Sequence, residues 1–336
     1  VIRRRSMRSG GGLLGIVLGL SSVVACGPDG DPSAPVHART PPVEASPRSL
    51  DRSVGTALPG RPSPACRTGT SIDAGVHTRR WQEVDRQVIV HLPEPQVAVT
   101  GPPPVVFSLH GSAASAASHD AFLPFSTPAA ERGYVVLIPE GMPPSDEVPL
   151  QVWELFPGIY PDDPGYLASL VDWIGSATCV DLDRVYAAGF SNGSTMTNVL
   201  ACHAGGRFRA IGAVAAHRFP IVCPSGPVSV LGIHGTADSI VPYLGGPLLR
   251  RPDIVMPPVE ETFDAWAEVG GCDVDPRSSA IPGGVVRRDW DGCEAGTDVV
   301  LYSIIGGGHA WPRADDPLAP AEIDATTLIL DFFDAN

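Results

Sequence analysis

Gly189-Phe190-Ser191-Asn192-Gly193 sets a serine between two glycines, directly after a strand-like run (Arg184 to Ala188) and directly before a helix-like run (Asn192 to Cys202). That context suits a nucleophile elbow, in which the glycines permit a tight, strained turn that holds the Ser191 hydroxyl above a sheet. A chain with 37 glycines will contain a bare Gly-x-Ser-x-Gly by chance, so the strand, turn and helix around it carry the reading. A serine hydroxyl is a poor nucleophile until a base takes its proton, and the base needs an orienting acid. In this setting the chain order is serine, acid, histidine. Of nine histidines four follow Ser191, and only His309, in the loop Gly306-Gly-Gly-His-Ala-Trp-Pro, leaves room for an intervening strand and acid. Among the carboxylates between the two, Asp238 is favoured. It ends His234-Gly-Thr-Ala-Asp, just past the buried-strand pattern Val228 to Ile233, at the carboxyl end of a sheet where such sites gather. Asp273 and Asp291 are the alternatives, while Asp264 and Glu268 fall in a helical pattern and are expected to face solvent.

Acyl transfer also requires donors for a developing oxyanion. The N–H of Asn192, next after the nucleophile, is the first. The second is expected from the loop after Val105 to Leu109, where Ser112 is preferred to Gly111. His110 precedes the nucleophile and reads as a structural hydrogen-bonding residue. Trp153, Phe156 and Tyr160, in a Pro-rich loop between Glu140 and Asp163, and Trp311, two residues past His309, are candidates for an aromatic substrate wall. The alternative for Trp153 and Phe156 is packing beneath the loop.

Positioning these groups calls for an α/β sandwich, a mostly parallel sheet with helices on both faces, because short β-branched runs alternate with longer helical patterns. The expected strands are 87–91, 105–109, 134–138, 184–188, 210–214, 228–233 and 299–304. The expected helices are 122–132, 166–177, 192–202, 258–269 and 321–333. Near-continuous apolar runs such as Val-Val-Phe-Ser-Leu mark strands buried on both faces.

The 336 residues are 43% hydrophobic and 18% charged, which suits one folded domain and excludes wholesale disorder. All 23 basic residues are arginine and the net charge is −14, so a phosphate backbone is repelled and no nucleic-acid partner is expected. Arg3, Arg4, Arg5 and Arg8 precede an apolar stretch, Leu13 to Ala25, with the layout of an export signal (residues 1–25). It ends Val23-Val24-Ala25-Cys26, which resembles a bacterial lipoprotein box with Cys26 as the lipidated residue. The alternative is an ordinary secretory signal with an incidental cysteine. Residues 26–65 then form a Pro-rich tether and 66–336 the catalytic domain. Gly27 lacks the acidic residue that holds some lipoproteins at the inner membrane, which favours the outer membrane, with the lipid as the only membrane contact.

Export permits disulfides. The other six cysteines lack CxxC spacing or paired histidines, so structural bridges are favoured over a metal site, and no cofactor is implied. Of fifteen pairings, Cys272–Cys293 is preferred because both flank one polar, Gly-rich excursion. Cys202–Cys223 is next, leaving Cys66 with Cys179.

Five ordered motifs, Leu109-His-Gly-Ser, Asp162-Asp-Pro-Gly-Tyr-Leu, Arg184-Val-Tyr-Ala-Ala-Gly-Phe-Ser-Asn-Gly, His234-Gly-Thr-Ala-Asp-Ser-Ile-Val-Pro-Tyr and Gly307-Gly-His-Ala-Trp-Pro, resemble the secreted α/β-hydrolases grouped as polyhydroxybutyrate depolymerases and feruloyl or acetylxylan esterases. The resemblance spans about residues 75 to 335 and implies the same triad, Ser191, Asp238 and His309. It departs at Ser194, where the family usually has a second glycine, and at Ala216-His217, where it has small residues. The reading is an exported serine ester hydrolase acting through an acyl-enzyme on feruloyl, aryl or acetyl esters of plant polysaccharide. The alternatives are a depolymerase of short-chain polyhydroxyalkanoate and, from a different class, a non-catalytic glycan-binding surface lipoprotein.

Overall fold

In the computed structural model the described residues are 60–94, 97, 101–143, 151–220, 222–249, 251–313 and 323–336. The signal segment 1–25, Cys26 and the tether as far as residue 59 lie outside them. The packed region includes Gly60 to Ala65, ahead of the expected boundary at residue 66. Arg61 N–H donates to Asp181 Oδ1 at 3.0 Å, and Ser63 accepts from Val180 N–H at 3.1 Å, which pins this stretch before the short helix α1 (Pro64–Thr68).

The chain then forms β1 (Gly75–Trp81), β2 (Val84–His91), β3 (Val105–Leu109), α2 (Ala116–Phe122), α3 (Ser126–Glu131), β4 (Val135–Pro139), α4 (Asp163–Ala177), β5 (Val185–Phe190), α5 (Asn192–His203), β6 (Ala210–Val214) and β7 (Ser229–Gly235). A small hairpin, β8 (Gly246–Leu248) with β9 (Arg251–Met256), precedes α6 (Val259–Gly270), β10 (Arg277–Ile281), β11 (Val285–Trp290), β12 (Val299–Ile304) and α7 (Ala325–Ala335). Ten strands make one sheet in the order β1-β2-β4-β3-β5-β6-β7-β12-β11-β10. The six central strands, β4-β3-β5-β6-β7-β12, run parallel to one another, and the pairings outside them are antiparallel. Residues of β3, β4, β5, β6, β7 and β12 are buried on both faces almost without exception, the reason their sequences read as unbroken apolar runs.

One face packs Tyr166, Leu170, Met196, Phe263 and Trp266 of α4, α5 and α6 against the sheet. The other packs Phe125, Ala129, Ile329 and Phe333 around α2, α3 and α7. The helix expected over 122–132 is two helices. Ser115 caps α2 through a reciprocal capping box with Ser118, and the chain leaves helical geometry at Leu123 before α3 begins. The edge strands β1 and β10, and β11 beside β10, were not expected, because their residues are largely polar and only partly buried. Disulfides join Cys66–Cys179, Cys202–Cys223 and Cys272–Cys293.

Candidate active site

Ser191 lies between β5 and α5 with φ 55° and ψ −119°, outside the regions an L-residue ordinarily adopts, as a nucleophile elbow requires. Both flanking glycines are needed for steric reasons. A Cβ at Gly189 would stand 2.4 Å from Gly193 O, and one at Gly193 would stand 2.3 Å from Leu109 O and 2.5 Å from His110 O. These obstructions are backbone atoms and cannot swing aside. Ser191 N–H donates to Val214 O at 2.9 Å, which ties the turn to β6.

The fold brings together three groups that are distant in sequence. Ser191 Oγ is 3.0 Å from His309 Nε2, and His309 Nδ1 is 2.7 Å from Asp238 Oδ2. Asp238 follows β7 and is buried, while its other oxygen, Oδ1, accepts the backbone N–H groups of Ile240 and Val241, both at 2.8 Å. Burial pushes this carboxyl upward. Hydrogen bonds from His234, His309 and Val241 N–H outweigh that and hold it well below the usual carboxylate range. The arrangement can carry a proton from Ser191 to His309 while an ionised Asp238 fixes the ring and compensates the imidazolium charge. The alternative acids lie elsewhere: Asp273 N–H donates to Asp291 O, and Asp291 pairs with Arg277. Asp264 accepts from Trp290 Nε1 at 3.1 Å, which gives it a structural partner on β11.

Gly111 runs alongside the serine, close enough that a Cβ there would be 3.3 Å from Ser191 Cβ. The Gly111-Ser112 segment therefore lies against the turn, and Asn192 N–H opens α5, where the first backbone donors have no partner in their own helix. His110 is buried behind them: its Nδ1 donates to Gly111 O at 2.8 Å and its Nε2 accepts from Gly141 N–H at 2.9 Å. Burial pushes its pKa down to about 4, with Arg86 contributing, which suits a structural rather than a basic role.

The four expected wall aromatics divide. Trp153 is 2% exposed: its ring lies 4.7 Å from that of His110, its Nε1 donates to His110 O at 2.8 Å, and its N–H donates to Asn192 Oδ1 at 2.6 Å. It braces the serine turn and offers no face to a substrate. Trp311 is likewise buried, packs edge-on against Phe125 and Phe190 and donates to Thr326. Phe156 and Tyr160 stand exposed on the loop that leaves Trp153.

Several neighbours of the site were not singled out from sequence. Phe190 lies with its ring 5.1 Å from that of His309. Glu140 Oε2 accepts Ala116 N–H at 2.7 Å and so fixes the start of α2 just past the Gly111 loop. Arg86 forms a fully buried ion pair with Asp163, donates to Glu140 O at 2.8 Å and stacks 3.7 Å over Tyr166, while Asp163 holds Glu154 N–H at 2.7 Å. The one available signal was Asp163 inside a recognisable motif. Its partner, 77 positions upstream, carried none. Among the described residues no group of three or more His, Cys, Asp or Glu is placed to hold a metal ion.

No protein-family model matches the chain. It is 31% identical over 242 residues to a protein of Nocardia uniformis subsp. tsuyamanensis named "Putative esterase NocK", covering 66% of this chain and 70% of that one. It is 26% identical over 264 residues to feruloyl esterase C of Emericella nidulans, covering 76% and 86%. In structure it is similar to the acetyl xylan esterase of Aspergillus awamori with a TM-score of 0.57 at 15% identity, covering 78% of this chain and all of that one, a likeness of fold. The chain belongs to an esterase family with feruloyl esterases among its members, has the α/β-hydrolase fold, and is a carboxylic-ester hydrolase.

Proposed function

We propose that this esterase works through a serine acyl-enzyme, with Ser191 as nucleophile, His309 as base and Asp238 as its orienting acid. The observation that supports it most directly is the unbroken chain Ser191 Oγ, His309 Nε2, His309 Nδ1, Asp238 Oδ2 at 3.0 and 2.7 Å. His309 takes the serine proton as Oγ attacks the ester carbonyl. The tetrahedral oxyanion is met by the N–H groups of Asn192 and Ser112, and His309 returns the proton to the departing alkoxide. A water molecule activated by the same histidine then frees the acid. Ser191→Ala and His309→Ala should each abolish p-nitrophenyl acetate hydrolysis with an unchanged circular dichroism spectrum, and Asp238→Asn should lower kcat by about 10⁴. Substantial turnover by Ser191→Ala would refute the mechanism.

The substrates we propose are feruloyl, aryl or acetyl esters of plant polysaccharide, in line with the feruloyl and acetyl xylan esterases among the relatives. Phe156, Ile159 and Tyr160, exposed within five residues of one another on the loop from Trp153, favour a second reading, a polyhydroxyalkanoate depolymerase meeting an apolar polymer. Initial rates on methyl ferulate, acetylated xylan and a 3-hydroxybutyrate oligomer separate the two. Activity on none of the three would overturn both substrate readings. We further propose export, with Cys26 as a lipid anchor and residues 26–59 as tether. The three disulfides and the arginine-then-apolar leader support export. Detergent partitioning lost in Cys26→Ser would support the anchor, and an unmodified N-terminus in the culture medium would refute it.

A further inference from the structure

The orienting acid is held from a second side by a histidine that no step above uses. His234, at the end of β7, is buried, and its Nε2 lies 3.2 Å from Asp238 Oδ2, the oxygen that also accepts from His309. The same nitrogen lies 2.9 Å from Val241 O. Two oxygen acceptors thus face Nε2, and a bare nitrogen there would set lone pair against lone pair, so the proton must sit on Nε2. Nδ1 is buried with no hydrogen-bond partner among the described residues, a second reason to leave it bare. We infer that His234, as the Nε2–H tautomer, is a positioning residue that donates to Asp238 Oδ2 and so sets both the direction of that oxygen and how strongly it holds His309.

Three hydrogen bonds hold the buried carboxylate, two backbone N–H groups on Oδ1 and His309 on Oδ2, and the single N–H of His234 joins them as one shared between Val241 O at 2.9 Å and Oδ2 at 3.2 Å. The backbone pair fixes where the carboxylate sits, and His234 competes with His309 for one oxygen. The ring of His234 is itself clamped. The buried His217 lies tilted at 5.2 Å on one side, and Tyr243 meets it edge-on at 5.7 Å on another. Tyr243 is held in turn, since its O–H donates to Glu260 at 2.9 Å and its oxygen is 2.6 Å from Ser303 Oγ. Arg288 donates to Ser303 and pairs with Glu260 at 3.0 Å. The titratable and charged groups around His234 are thus Asp238, His309, His217 and Tyr243, with Glu260 and Arg288 behind Tyr243.

The inference rests on the serine-triad reading, and its test keeps the two apart. His234→Leu removes the donor while preserving bulk, and His234→Gln keeps an N–H near the place of Nε2. With one donor fewer, Oδ2 binds the protonated His309 ring more strongly. We therefore expect the acid limb of the kcat/KM profile in His234→Leu to move to higher pH by roughly half a unit or more, with kcat down about tenfold and KM little changed. His234→Gln should recover most of both. A residue that only fills space would lower the melting temperature and leave the limb where it was. A limb unmoved in His234→Leu, or His234→Gln no closer to wild type than His234→Leu, overturns the inference. Should His234→Leu fail to fold, ¹⁵N NMR of histidine-labelled wild type decides: a proton on Nε2 of His234 supports it, and one on Nδ1 alone overturns it. Failure of the triad itself reads out separately, as activity surviving in Ser191→Ala.

Discussion

Arg86→Met should destabilise the fold strongly although Arg86 lies outside the proposed triad. Arg86 and Asp163 are 2% and 0% exposed, with Nη1 and Oδ1 2.5 Å apart. Burial pushes the Asp163 carboxyl up, and Arg86 opposes this without cancelling it. Replacing the guanidinium by a thioether of similar length leaves a buried carboxylate uncompensated, at a cost of about 3 to 5 kcal/mol. The lost donations to Glu140 O and the lost stack on Tyr166 fall within that figure, because all belong to one network and do not add. Against a total stability of about 5 to 15 kcal/mol this brings the fold near its margin. The loss depends on pH in a determined direction. A carboxyl whose folded pKa is raised takes up a proton more readily when folded than when unfolded. The penalty is therefore complete at high pH and is relieved as pH falls through that raised value. Urea unfolding followed by tryptophan fluorescence should give a larger difference from wild type at pH 8 than at pH 5. Arg86→Met/Asp163→Leu should regain most of the loss by replacing the pair with packed apolar groups. A penalty below about 1 kcal/mol at pH 8, or one that grows on acidification, would refute the reasoning.

Gly193→Ala should yield a protein without esterase activity and with a lower melting temperature, since its Cβ meets Leu109 O and His110 O at 2.3 and 2.5 Å; wild-type kcat would contradict this. His119 is buried against Ser108, and burial, with His110 nearby, pushes it down to about 3. The unfolded chain binds a proton that the fold refuses, so stability is complete above about pH 6.5 and falls below it, by about 1.4 kcal/mol per pH unit from this group. His119→Gln, which cannot titrate, should flatten the urea-derived stability profile between pH 6.5 and 4, and an unchanged slope would count against it. Cys272→Ala/Cys293→Ala opens a loop with a sequence separation of 21 and should lower unfolding free energy by about 3 kcal/mol by chemical denaturation; no loss would show that the bridge adds nothing.

Local pattern carried the central part of this molecule. The parallel strands are apolar runs because they are covered on both faces, and the serine turn announces itself because its two glycines fall at fixed places around Ser191, one demanded by the turn itself and the other by the carbonyls of Leu109 and His110. Chain order then narrowed the candidate base and acid to His309 and Asp238, and the fold places His309 within hydrogen-bonding distance of both Ser191 and Asp238. The edge strands β1 and β10, and β11 next to the edge, gave no comparable signal, since a strand with one wet face can carry arginine, serine and aspartate. Side-chain direction was equally hidden. Trp153 and Trp311 flank the site in sequence, yet both turn inward, because an indole that can donate to His110 O or Thr326 gains more from burial than from solvent. The same holds for the charges that brace the site. Arg86, Asp163 and His234 are ordinary polar residues in the sequence, and they become positioning elements only where the sheet and its helices remove water and set buried partners around them.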